Sequence, residues 1–260
     1  MRKRELRFVS LSVLVVLLIV APAFALDAYK PYTDFGKVYQ FNPWSSESGD
    51  WTKANDSGTE WSNSPAGFLS YNSDHTAKYA GYSQVLASPA TTTWTFEVRA
   101  QVDDQGAQTG SATQMPAGLW VGIMNNASQG KQLTELVIQK NNIQLRTSTG
   151  WVPLDNTSNS DGYHKTRLAR DASGVRVYRD DSETPLNNTV YTVASGSSLY
   201  GSFTSFAGFG DNAYAAGSTD GLHTSIDYLA YDLSHAYAPE PTTMILLAAG
   251  SLACLLRKRH

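Results

Sequence analysis

Thr93–Val102 reads TWTFEVRAQV. Trp94, Phe96, Val98, Ala100 and Val102 fall on one parity, and Thr95, Glu97, Arg99 and Gln101 on the other. A period of two is the pattern of a strand that covers a core with one face. The same grammar continues outward. AGLWVGIM (117–124) and LTELVIQK (133–140) follow, the second turning at Asn141-Asn142 into IQLRTS. YHKTRLAR (163–170) runs through a turn at 171–174 into GVRVYRD (174–180), and FAGFGD (206–211) and HTSIDYLAYDL (223–233) close the series. Gly, Asn, Asp and Ser punctuate these segments, and 103–115 and 211–222 read as polar loops. No stretch between the two termini carries a 3.6-residue apolar stripe of helical length. Regular strands with turn punctuation and almost no helix predict an all-β, antiparallel two-sheet β-sandwich of roughly a dozen strands. Helix is expected only in the terminal segments. Trp94, Phe96, Val98, Leu119, Val121, Leu136, Ile138, Leu168, Val175, Val177, Ile226 and Tyr228 are the expected core, and Trp120 is expected there too.

Charge and cysteine usage exclude several classes of function. Of 20 Lys and Arg, seven lie at the ends (Arg2, Lys3, Arg4, Arg7, Arg257, Lys258 and Arg259), together with Glu5 and Glu240 of the 23 acids. The interior, 26–238, is left with 13 basic and 21 acidic residues, a formal charge of −8. Nucleic acid and anionic lipid both call for a cationic footprint, so neither is an expected partner. The sole cysteine, Cys254, sits in the apolar tail. The interior therefore has no disulfide, redox pair or thiolate-bound zinc, and at this length it can bury a core without staples.

Both ends read as targeting segments. A basic n-region precedes the apolar run Val9–Val20, and APAFA places Ala23 and Ala25 at the small-residue positions of a signal-peptidase site. Residues 1–25 are thus an expected signal peptide, with signal peptidase as a partner. At the other end Pro239-Glu240-Pro241 precedes an apolar run, Met244–Leu256, and then the basic tail. The run is about 20 Å long as a helix against a hydrocarbon core of ~30 Å. Thr242, Thr243 and snorkelling cations would extend its reach, giving an expected transmembrane segment at about 242–256. Proline keeps the tripeptide extended outside the membrane, where an enzyme could read it. Residues 239–260 closely resemble the PEP-CTERM sorting signal of Gram-negative, biofilm-forming bacteria. That resemblance implies an exosortase-type processing enzyme as partner, membrane attachment before processing, and export to the envelope, surface or extracellular matrix.

The interior resembles concanavalin A-like (laminin G-like) jelly rolls. The likeness is carried by GLWVGI, by Arg167 and Arg170 running into Val175, Val177, Tyr178 and Asp180, and by Asp227-Tyr228 in the last strand. In the glucanase branch a strand of pattern E-x-D-x-(x)-E sets its acids on the concave face, a nucleophile and an acid/base about 5–5.5 Å apart in retaining enzymes. TELVIQK would be the corresponding strand, with Glu135 at the first acid position and Val137 and Gln139 at the others. An isopropyl group and an amide can neither attack an anomeric carbon nor donate its proton. The domain is therefore expected not to be an enzyme, with Glu135 either a hydrogen bonder at the edge of a groove, where it would join in sugar binding, or a solvated face residue.

His75, His164, His223, His235 and His260 show no metal spacing, and no G-x-S-x-G is present. No cofactor is expected as a requirement. Calcium is the cation that Asp103, Asp104, Asp211, Asp220 and Asp227 would suit, since it takes hard oxygen ligands. Trp44, Trp51, Trp61 and Trp151 stand among Ser, Asn, Gly and Asp, and exposed indoles there would stack on sugar faces. The resulting expectation is an exported envelope or matrix protein whose jelly roll binds polysaccharide. A glycosidase or lyase on the same fold, and a purely structural surface protein, are the alternatives.

Overall fold

A computed structural model describes residues 37–40, 51–54, 61–62, 68–73, 80–86, 93–105, 116–127, 130–182, 184–187, 191, 194–195, 205–211, 222–234 and 236–237. The expected signal peptide, the sorting signal with its transmembrane segment, Trp44 and Asp220 lie outside these residues. Pro31–Ala236 form one compact unit.

The described residues build two antiparallel sheets, as the period-two segments predict. In the first, β12 (Gly174–Arg179), β11 (His164–Asp171), β6 (Trp94–Gln105), β15 (Leu222–Asp232), β4 (Leu69–Ser73) and β3 (Trp61–Ser62) lie side by side, and β1 (Lys37–Gln40) also pairs with β15. In the second the order is β10 (Gly150–Asp155), β9 (Asn142–Thr147), β8 (Gly130–Gln139), β7 (Leu119–Ala127), β14 (Phe206–Asp211), β5 (Ala80–Val85) and β2 (Thr52–Ala54). There β13 (Ala194–Ser195) also pairs with β8. Every pairing is antiparallel, and sequence neighbours separated in the sheets give the crossovers of a jelly roll.

Alternation places the core. Trp94, Phe96, Val98, Ala100 and Val102 of β6 are all buried. Leu168 and Val177 join them by register, Phe96 opposite Leu168 and Leu168 opposite Val177. Across the sandwich, Leu119 and Val121 oppose Ile138 and Leu136, with Ile143 and Leu145 next in line. Burying each side chain of this size contributes about 1.5–3 kcal/mol. The two inner faces meet directly. Trp61 meets Phe209 edge to face, with centroids 5.8 Å apart. The Tyr71 hydroxyl donates to Asp211 over 3.1 Å, and the Tyr231 hydroxyl to Gln84 Oε1 over 2.6 Å.

Two positions of the expected core differ. Ile226 pairs with Ala100 but Tyr228 with Arg99, so β15 carries a bulge at Asp227. One extra residue turns every later side chain to the opposite face. Leu229 and Tyr231 then point into the core, whereas Tyr228 lies on the outer face beside Glu97. Trp120 is buried but shares the parity of Gly122, opposite to that of Leu119 and Val121, and so lies on the outer face of the second sheet. Strand β6 also runs to Gln105, so Asp103 and Asp104 are exposed strand residues rather than loop residues.

Candidate functional site

The outer face of the second sheet gathers the polar and aromatic groups with most chemical interest. On β8 the core takes Leu136 and Ile138, which leaves Glu135, Val137 and Gln139 on the outer face, the three positions where a glucanase strand would carry acids. Register continues this face into β9 through Gln144, opposite Val137, and Arg146. It reaches β10 through Trp151, opposite Arg146.

Glu135 is not at the edge of a groove. It is fully buried, accepting from Trp120 Nε1 at 3.1 Å and from Arg146 Nη1 at 3.0 Å. An isolated carboxylate at such a site would be costly, and the guanidinium and the indole N–H compensate it. The other side of Arg146 lies over the Trp151 ring, 5.8 Å from its centroid, the placement of a cation–π contact. Arg146 is partly exposed, its side chain at 14%, and Trp151 is half-buried. A relay thus runs Trp120–Glu135–Arg146–Trp151 from the buried middle of the face to its accessible edge. Beside it Gln144 Nε2 donates to Gln139 Oε1 at 2.6 Å, and Gln139 Nε2 to the Ala117 carbonyl at 2.7 Å.

Glycines make room for the Trp120 ring. A Cβ at Gly208 would stand 2.7 Å from Trp120 Cζ3, and one at Gly122 would stand 3.0 Å from Cζ2. The indole therefore lies across β7 and β14 against bare backbone, with its N–H aimed at Glu135. This anchoring was not legible in the sequence, because Gly208 and Gly122 become neighbours only through β7–β14 pairing. Arg146 was missed for the same reason. Its position in IQLRTS shows a strand residue, and its partner is a cross-strand neighbour.

The other expected site residues do not converge here. Trp51 and Trp61, expected as exposed stacking rings, are buried in the sandwich core, where Trp51 packs 5.2 Å from Phe209. Only Trp151 of the four expected rings is described on an outer face. Among the calcium candidates, Asp211 is buried and accepts from Tyr71, and Asp227 is paired with Arg99. Among the described residues no group of three or more His, Cys, Asp or Glu comes together.

The first sheet holds a second buried ion pair on its outer face. Glu97 accepts from Arg167 Nε at 2.5 Å and from the Tyr228 hydroxyl at 2.6 Å, and the bulge at Asp227 delivers that tyrosine. Near the rim, His164 sits between Asp161 at 3.0 Å and Asp180 at 3.1 Å. Hydrogen bonding from His164 is the main cause holding the Asp161 carboxyl below the usual carboxylate range.

Residues 238–259 match the PEP-CTERM protein-sorting motif. The chain is therefore exported and sorted to the cell envelope or surface, and the motif is the recognition signal of an exosortase-type enzyme. No curated protein matches the sequence. Among solved structures the chain is similar to a β-1,3-glucanase from Mycobacterium marinum, at 15% identity over 78% of this chain and 99% of that one, with a TM-score of 0.43. It is similar to an alginate lyase of polysaccharide lyase family 7 at 10% identity, over 71% of this chain and 94% of that one, with a TM-score of 0.48. It spans only 37% of a GH43 protein from Bacillus licheniformis, at 14% identity over 72% of this chain, with a TM-score of 0.41. Likeness at this level concerns the fold. The expectation that the domain is not an enzyme is nonetheless corrected, because hydrolases and a lyase stand among the structures on this fold. Val137 and Gln139 leave the outer face of β8 without the further acids of that one hydrolytic arrangement.

Proposed function

We propose that this exported chain engages polysaccharide in the bacterial envelope or matrix through the outer face of the second sheet. The observation that carries the reading is the Trp120–Glu135–Arg146–Trp151 relay. It ends in a partly exposed indole braced by a guanidinium, with Gln144 beside it. An aromatic ring supplies the apolar face that sugar C–H groups stack on, and neighbouring amide and guanidinium N–H groups supply donors to hydroxyls. The second reading is a glycosidase or lyase acting at the same face. Glu135 favours it, as a carboxylate linked through Arg146 to the ring on which a substrate would rest.

Full-length protein in detergent, screened against a glycan array with and without calcium and assayed in parallel for released reducing ends and unsaturated sugars, tests both readings. Trp151→Ala is expected to weaken polysaccharide binding by roughly 2- to 13-fold, the worth of about 0.5–1.5 kcal/mol for a lost ring stack. Product release that disappears in Trp151→Ala would establish the second reading. Binding unaffected by Trp151→Ala would contradict this location, and binding to no glycan would leave a structural surface role.

A further inference from the structure

We infer that Glu135 sets the charge specificity of this face, cancelling Arg146 so that the site takes neutral polysaccharide and rejects uronate-rich or sulfated polymers. The inference rests on the polysaccharide reading above. Arg146 is the cation beside Trp151, and an unpaired guanidinium there would be a bidentate grip for a carboxylate or sulfate on a passing chain. Its Nη1 is instead committed to a carboxylate 3.0 Å away that is fully buried and so held in place. A mobile surface acid would be displaced readily by a competing anion, but Glu135 is also fixed by Trp120 Nε1. The indole is in turn wedged over Gly122 and Gly208. The formal charge of −8 on residues 26–238 adds a long-range repulsion of anionic polymers. A neutral glycan needs only the ring and N–H donors, and the pair commits only Nη1 of the guanidinium.

The experiment is calorimetry of the full-length protein against soluble xylan and a neutral β-glucan on one side and alginate and polygalacturonate on the other, at low and high salt. The wild type is expected to bind a neutral polymer with little salt dependence and to bind the acidic ones at least ~10-fold more weakly. Glu135→Gln removes one charge at nearly constant shape. It is expected to gain ~10-fold or more for the acidic polymers, with the gain lost at high salt. The double variant Glu135→Gln/Arg146→Gln should lose that gain. A role of Glu135 in stability alone would move neither the preference nor its salt dependence. Acidic polymers bound by the wild type as tightly as neutral ones overturn the inference while leaving the polysaccharide reading intact. No gain in a Glu135→Gln protein that keeps its native circular dichroism also overturns it. Binding to neither class sinks both. Should Glu135→Gln fail to fold, the wild-type ratio of neutral to acidic binding and its salt dependence decide alone.

Discussion

The Trp120 indole fills the space that a side chain at position 208 would take, and at Gly122 it shares that space with the Thr134 carbonyl. A methyl at position 208 would meet ring atoms at 2.7 and 2.9 Å and the Tyr82 carbonyl at 3.2 Å. Gly208→Ala is therefore expected to destabilise the fold by about 1–3 kcal/mol, read from the urea midpoint. Adding Trp120→Ala should recover part of that clash, so the two changes should not be additive. A Gly208→Ala protein as stable as the wild type would contradict the placement of the ring. At this scale the sequence revealed parity but not partnership. LTELVIQK shows that Glu135, Val137 and Gln139 share a face, and they do. It cannot show that Arg146 and Trp120 close on the carboxylate, because both come from other strands. Trp51 and Trp61 failed for the opposite reason, since polar neighbours in sequence said nothing of Phe209, which packs against Trp51, or of Tyr82, which Trp61 meets across the sandwich.

Strand β6 shows why an alternating strand need not have a solvated face. Its outer parity was legible, yet Glu97 on that side is fully buried. Register sets Arg167 directly opposite it on β11, and the bulge in β15 turns Tyr228 towards it from the other flank. Removing one partner of a buried pair strands the other charge, so Glu97→Ala should cost about 3–5 kcal/mol in chemical denaturation. Replacing both, as in Glu97→Met/Arg167→Met, should cost clearly less than the two single changes added together. Additive losses would show that the two groups do not act as a pair. The bulge itself had no signature, since HTSIDYLAYDL alternates plausibly in either register and only pairing with Arg99 and Val98 reveals the slip. The strands, by contrast, were legible because each segment offers one apolar face of the right length. FAGFGD matches β14 residue for residue.

The whole chain joins a jelly-roll unit to a sorting motif at 238–259. Fold class and sorting were the most readable properties, the first from period-two strands and the second from a tripeptide, an apolar run and a basic end in fixed order. Deleting Pro239–Pro241 while keeping the apolar run should leave the protein unprocessed in the inner membrane, since the run supplies partition energy and the tripeptide supplies recognition. Fractionation with immunoblotting checks this, and surface delivery at the normal mass would contradict it. Function was less readable because the site is assembled from β7, β8, β9 and β10 and exists only once they pair. The central claim is that glycan is engaged on the outer face of that sheet, at its Trp151 edge. A crystal structure of the protein with a neutral oligosaccharide tests it most directly. The account predicts a sugar ring stacked on Trp151 within hydrogen-bonding reach of Gln144 or Arg146, with Glu135 still bonded to Arg146. A sugar bound on the first sheet or at a sandwich end, with the Trp151 ring uncovered, would contradict it.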